Sequence, residues 1–236
     1  MTPYYDADGI TIYHGDCRDI LPLLADGSID LVLTDPPYGV GLVTKTSDFR
    51  DSPNFDGGAS LKATELYDDD PQTIRELIVE TMPHILRVGK RAMVFPGPNA
   101  MWAYPEPTAI GCVFTMAGAG RSPWGFQCMH PVLYYGKDPY LQDGKGGRPN
   151  SFRDEQPNRE KIDHPCPKPM AWMRWAVTRA SREGELILDP FMGSGTTLRA
   201  AKDLGRKAVG IELSEYYCEQ AVRRLSQMVM PLDIAS

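Results

Sequence analysis

The chain has 236 residues, 42% of them apolar, with 25 Lys/Arg against 31 Asp/Glu and a formal net charge of −6. That length and apolar content can bury one sizeable core. No apolar stretch reaches the ~20 residues of a membrane span, and the opening Met1-Thr2-Pro3-Tyr4-Tyr5-Asp6 lacks the features of a signal peptide, so a single soluble, cytoplasmic domain is expected.

The first predicted strand, Ile10-Thr11-Ile12-Tyr13, leads into His14-Gly15-Asp16-Cys17, and the second, Ile29 to Thr34, runs directly into Asp35-Pro36-Pro37-Tyr38. Each proline lacks a backbone N–H and has φ fixed near −65°. The turn therefore presents mainly acceptors, the Asp35 carboxylate and the Pro36 carbonyl, and two acceptors suit one NH₂ group. Tyr38 adds a flat ring on which a planar heterocycle can stack. The bland alternative is a proline turn whose Asp closes an Asx-type hydrogen bond. Against it stands the position of the motif, because the carboxyl end of a buried strand is where open α/β sheets place ligands.

The connection from Gly39 to Asp70 exceeds ordinary loop lengths and predicts a mobile flap over the site. A helix over Pro71 to Met82 should set Ile74, Leu77 and Ile78 against a sheet. Ala92 to Phe95 reads as the next strand, and Ile110 to Met116 and Pro131 to Tyr135 as the last two. Met170 to Ala180 is a predicted helix, and Met101, Trp102, Trp172 and Trp175 are expected as packing residues.

Glu185 to Asp189 is a further buried strand, followed by Pro190-Phe191-Met192-Gly193-Ser194-Gly195-Thr196-Thr197 and a helix from Thr196 to Leu204. The two glycines let the backbone approach a ligand closely and turn tightly into the helix. The run is neither a full G-x-G-x-x-G nor a Walker loop. The next strand, Ala208 to Ile211, ends in Glu212, where an acid can accept hydrogen bonds from ribose hydroxyls. This is an adenosine-binding pattern with no strong phosphate requirement; the competing reading is a turn that only packs a helix.

Five cysteines, at 17, 112, 128, 166 and 218, form no C-x-x-C pair, and the histidines at 14, 84, 130 and 164 lack ligand spacing. The cysteines point to a reducing compartment, and both observations point away from a metal. Charge is uneven. Residues 1–120 hold 8 Lys/Arg against 17 Asp/Glu, whereas residues 121–182 hold 11 against 6, interleaved with aromatics. A basic, aromatic segment is a candidate nucleic-acid footprint, unless its linear clustering fails to be spatial.

Together these motifs resemble the S-adenosylmethionine-dependent amino-methyltransferases of DNA, specifically the permuted β class in which D-P-P-Y precedes the glycine-rich motif. His164-Pro165-Cys166-Pro167-Lys168-Pro169 is similar to that family's H-P-x-x-K-P, with Cys166-Pro167 departing from the usual Thr-Gln. The resemblance implies a doubly wound α/β fold, a mostly parallel seven-stranded Rossmann-like sheet with an antiparallel last strand. It implies one domain over 1–236: a catalytic half at 1–137, a target-recognition insertion at about 138–163, and a cofactor-binding half at 164–236. Catalysis falls to Asp35, Pro36, Pro37 and Tyr38. S-adenosylmethionine falls to Asp16, Cys17, Lys168, Asp189, Pro190, Phe191, Gly193, Ser194, Gly195, Thr196, Thr197 and Glu212, with Asp16 at the adenine and Glu212 at the ribose.

The implied substrate is double-stranded DNA with the target nucleotide flipped out, and the short insertion implies a short recognition site or help from a second subunit in a homodimer. No membrane or metal is implied. Asp35 favours adenine N6 over cytosine N4, whose enzymes more often begin the motif with Ser. RNA adenine and protein amides are further substrates of such sites, the latter usually with Asn first. Cytosine C5 chemistry at Pro165-Cys166 has no use for D-P-P-Y. From a different class, a catalytically silent nucleic-acid-binding protein could carry the same fold.

Overall fold

The computed structural model describes residues 1–39, 70–97, 100–116, 121–155 and 168–227. In chain order the elements are β1 (Tyr5–Ala7), β2 (Ile10–His14), α1 (Cys17–Ile20), β3 (Leu31–Thr34), α2 (Pro71–Val88), β4 (Ala92–Val94), β5 (Ala109–Thr115), β6 (Arg121–Ser122), β7 (Gly125–Phe126), β8 (Met129–Tyr135), α3 (Pro139–Gln142), β9 (Phe152–Asp154), α4 (Met170–Ala180), β10 (Leu186–Asp189), α5 (Thr196–Asp203), β11 (Lys207–Glu212) and α6 (Glu215–Ser226).

One nine-stranded sheet runs β1-β2-β11-β10-β3-β4-β8-β5-β9, so strands from both ends of the chain interleave. From β2 to β4 the neighbours are parallel, β8 is antiparallel to both β4 and β5, and β1 is antiparallel to β2. Seven strands were expected. The two additional ones, β1 and β9, are three-residue edge strands, too short to show a hydrophobic period. β1 joins β2 through Asp8-Gly9, both at positive φ (53° and 74°), the backbone that a two-residue hairpin with the right twist requires.

Both faces of the sheet are covered, which is why Leu31-Val32-Leu33-Thr34 is buried at every position rather than alternating. On one face Leu31, Leu33 and Ile187 pack with α4, α5 and α6. On the other, Val32 and Leu188 pack with α1 and α2. α2 starts on Asp70, whose carboxylate accepts from Gln72 N at 2.8 Å and Thr73 N at 3.1 Å, with Pro71 in the first helical position. It buries Ile74 and Ile78 as expected, but it continues through Pro83 to Val88 instead of ending at Met82. Burial of Ile85 and Val88 in the core outweighs the hydrogen bond a mid-helix proline forfeits. Trp172 is buried and Trp175 stacks on Phe152, whereas Trp102 is 80% exposed and is not a packing residue.

The direction of the crossovers locates a crevice. From β10 the chain passes through α5 leftward to β11; from β3 it passes through α2, on the opposite face, rightward to β4. The order reverses between β10 and β3, and ligands of open α/β sheets bind outside the carboxyl ends of strands at such a point.

Candidate active site

The strands β2, β11, β10, β3 and β4 all end at this carboxyl edge, and the first four deliver residues singled out in the sequence. β3 delivers Asp35-Pro36-Pro37-Tyr38, and Asp35 follows Thr34, which is in register with Val94 of β4. The Tyr38 hydroxyl donates to Asp35 Oδ1. Lys168, on the short lead into α4, sets its Nζ 3.0 Å from Asp35 Oδ2, donates to the Tyr38 hydroxyl, and stands 4.6 Å from the centre of the Tyr38 ring. Lys168 is 8% exposed and Asp35 24%. Both carboxylate oxygens are therefore held by neighbours 3 and 133 residues away in sequence. Lys168, expected at the cofactor, stands beside Asp35 and Tyr38. His164 to Pro167, the rest of its motif, lie outside the described residues, as does the flap apart from its two ends, Gly39 and Asp70.

Two residues absent from the sequence reading complete this wall. β4 exits through Phe95-Pro96-Gly97, and Gly97 has φ +67°; a Cβ there would lie 2.6 Å from a carbon of the Tyr38 ring, so only glycine lets the ring settle. Tyr104, seven residues later in sequence, is buried with its hydroxyl lacking a hydrogen-bond partner among the described residues. Burial, reinforced by the charges of Asp35 and Tyr135, pushes that hydroxyl's pKa up. Pro-Gly at the carboxyl end of an apolar strand was a legible signal for Gly97. For Tyr104 the sequence offers none.

Across the switch point, β10 delivers Asp189, fully buried. Burial pushes its carboxyl up to about 6, against hydrogen bonds from the Thr197 and Thr34 hydroxyls and from Phe191 N–H that favour the ionised form. The Thr34 bond, 2.8 Å, ties the strand carrying Asp35 to the strand carrying the glycine turn. The turn itself is Met192 to Gly195. Gly195 N donates to Met192 O at 2.9 Å, and Gly195 enters α5 at φ +78° with α6 so close that a Cβ would stand 2.7 Å from Ala221 Cβ. Ser194, Thr196 and Thr197 are buried; Thr196 accepts from Arg224 and Thr197 faces Asp189, so both threonine hydroxyls brace the turn.

β11 delivers Glu212. Its Oε2 accepts from Gly193 N at 3.0 Å and its Oε1 from Ser214 N at 2.8 Å. Burial nevertheless pushes this carboxyl up to about 7. β2 delivers Asp16 and Cys17. Asp16 caps α1, accepting from Arg18 N at 2.8 Å, and is gripped by the Arg18 guanidinium at 2.6 Å; that pairing holds its carboxyl below the usual range. Cys17 is buried in the core, and burial pushes its thiol up to about 12. Asp16 is thus occupied by its own helix, and an adenine amino group there must share it with Arg18.

Among the described residues, many cations of the basic segment are ion-paired: Arg148 and Arg179 pair with Asp138, Arg182 with Asp143 and Glu185, Arg174 with Asp203, and Arg153 with Glu155. Among the described residues no group of three or more His, Cys, Asp or Glu could hold a metal ion, and no helix is long and apolar enough to cross a membrane.

Residues 97–223, more than half of the chain, match the N6/N4 methylase family, described as DNA methylase. The DNA adenine methyltransferase YhdJ of Escherichia coli (strain K12) is 26% identical over 255 residues, spanning 91% of this chain and 82% of that protein. Among solved structures, PvuII DNA methyltransferase (cytosine-N4-specific) superposes with a TM-score of 0.66 at 14% identity, covering 97% of this chain and 90% of that one. A crystal structure of an M1.HpyAVI–SAM complex gives 0.57 at 22% identity, covering 92% of this chain and all of that one. These two share its fold. The chain belongs to the N6/N4 DNA methylase family and is a DNA methyltransferase.

Proposed function

We propose that the protein transfers the methyl group of S-adenosylmethionine to the N6 amino group of an adenine flipped out of duplex DNA, as a permuted, β-class member of its family. The observation that carries this reading is the placement of Asp35 and Tyr38 across a topological switch point from a glycine turn and a buried Glu212. Burial pushes the Glu212 carboxyl up to about 7 against its backbone N–H partners, and further donors from the two hydroxyls of a ribose favour the ionised form. The cofactor therefore fits the edge formed by Glu212, the Gly193–Gly195 turn and the Asp16–Cys17 segment. Bound there, it supplies an electrophilic methyl group on a positively charged sulfur.

The chain's own residues do the rest. Asp35 and the Pro36 carbonyl accept the two N–H bonds of the target amine, which turns the nitrogen lone pair outward and opposes its delocalisation into the ring. As nitrogen becomes positive, the Asp35 carboxylate is an acceptor aimed at the developing charge. Seating the amine exchanges the Tyr38 hydroxyl on Asp35 for a substrate N–H, freeing Tyr38 to present its ring to the base. Stacking of about 1–3 kcal/mol offsets much of the few kcal/mol that extrusion costs. Lys168 remains as the counter-charge on the far oxygen. Support for adenine comes from Asp35 as the first residue of the motif and from the adenine methyltransferase among the relatives; the cytosine-N4-specific enzyme of the same fold marks the rival.

The test is a labelled-methyl transfer assay on duplex DNA, RNA and protein, followed by digestion of the DNA to nucleosides. Label in N6-methyl-2′-deoxyadenosine from the DNA is the expected result. Label in N4-methylcytosine, in RNA or in protein overturns it.

A further inference from the structure

The resemblance assigns target reading to about 138–163; the described part of that segment starts at the amino edge of the sheet and returns along β9 to Asp35's edge, where Asp154 is in register with Thr115 beside the end of the β5–β8 hairpin. Tyr135, in register with Ala92 at the start of β4, ends β8 at the amino edge, and α3 follows there, held by Arg182 on Asp143 beside the start of β10. Asp35 lies at the opposite edge. The hairpin between β5 and β8 lies at Asp35's edge. Val94, level with Thr34, is in register with Leu133. β8 extends four residues further to Met129, roughly 13 Å past that level at about 3.3 Å per residue. Laterally, β8 is two strands from β3, about 10 Å.

Beyond Met129 the chain forms a second, smaller ribbon, β6–β7, with Arg121 in register with Phe126 and Ser122 with Gly125. Its tip is Pro123-Trp124. Proline before the tryptophan and Gly125 at φ +108° after it fix the direction of the turn. The residues at this end are apolar and turned outward: Trp124 is 99% exposed, Met116 78%, Phe126 71% and Met129 50%. A short ribbon that carries large apolar side chains into solvent, a few residues from the edge where a nucleotide must leave its duplex, has the form of an intercalating wedge.

We propose that the β6–β7 ribbon enters duplex DNA beside the target nucleotide and that Trp124 stacks in the base column, occupying space the extruded base gives up. This rests on the DNA-extrusion reading above. Trp124 is a positioning residue: it touches the neighbours of the target and acts on the equilibrium between stacked and extruded base. Removing a stack of about 1–3 kcal/mol from that equilibrium lowers turnover by roughly 5- to 150-fold.

Two measurements on the full chain test it, using unmethylated plasmid DNA as the probe. Trp124→Ala should lower kcat at least fivefold with KM for DNA within threefold and cofactor affinity unchanged, and Trp124→Phe should restore most of kcat. Binding of the same DNA should quench tryptophan emission in the parent, and most of that quenching should be missing in Trp124→Phe. An unchanged kcat, a rise in KM alone, or equal quenching in parent and Trp124→Phe overturns the wedge. So does a loss of dimer mass in Trp124→Ala by light scattering, which assigns the ribbon to a second copy of the chain. The quenching readout needs no catalysis, so failure of the parent to methylate DNA counts against the proposed reaction and leaves the wedge to be judged on fluorescence.

Discussion

Glu212 offers a quantitative handle on cofactor binding. In the free protein its carboxyl is pushed up to about 7 by burial, from 4.5. A group raised on folding stabilises the fold fully below its unfolded pKa, and that contribution disappears as pH rises through about 7. Binding of ribose hydroxyls works in the opposite direction, because donors favour the charged form. If the bound carboxyl returns to its ordinary range, the dissociation constant is inversely proportional to the fraction of free protein in which Glu212 is ionised. With a free pKa of about 7, affinity is then roughly tenfold weaker at pH 6 than at pH 8, or about 1.4 kcal/mol. Calorimetric titration with S-adenosylmethionine between pH 6 and 8 reads this directly. Glu212→Gln should bind weakly and flatten the profile, since an amide cannot ionise and its NH₂ would oppose either Gly193 N–H or Ser214 N–H. Affinity that is flat across this range, or that weakens as pH rises, refutes the assignment of Glu212 to the ribose.

Lys168 and Gly195 make two more predictions. Lys168→Ala removes a charge-assisted partner of Asp35, an interaction of about 1.5–3 kcal/mol, so kcat should fall roughly 10- to 150-fold while cofactor affinity measured by the same titration stays within threefold; a cofactor-binding lysine would give the reverse split. Gly195→Ala places a methyl 2.7 Å from Ala221 Cβ at φ +78° and should cost about 2–4 kcal/mol of stability, read as a lower denaturation midpoint with an unchanged m-value.

Much of this architecture was legible because its signals are short-range. Buried runs such as Leu31 to Thr34 and Ile187 to Asp189 identify parallel strands, and the prolines and glycines that follow them mark the ends where ligands bind. The Asp8-Gly9 hairpin signal is equally plain in the sequence, but the strand that precedes it is only three residues long and shows no hydrophobic period. What the sequence withheld is long-range. Lys168 reaches Asp35 only because α4 packs on the face of the sheet that brings its amino end to the β3 exit. Arg148 and Arg179 both converge on Asp138, a pairing that a count of charges along the chain does not reveal. Whether Pro83 ends a helix depends on what Ile85 and Val88 find to pack against. Tyr104 is anonymous in sequence and becomes visible only through a buried hydroxyl near Asp35.

The central claim is that Asp35 acts on the methyl acceptor and not on the methyl donor. Asp35→Ala, measured on a single preparation for transfer to duplex DNA and for S-adenosylmethionine affinity, separates the two. The account predicts at least a hundredfold loss of transfer with cofactor affinity within threefold of the parent. Transfer near the parental rate, or a loss of cofactor binding equal to the loss of transfer, contradicts it.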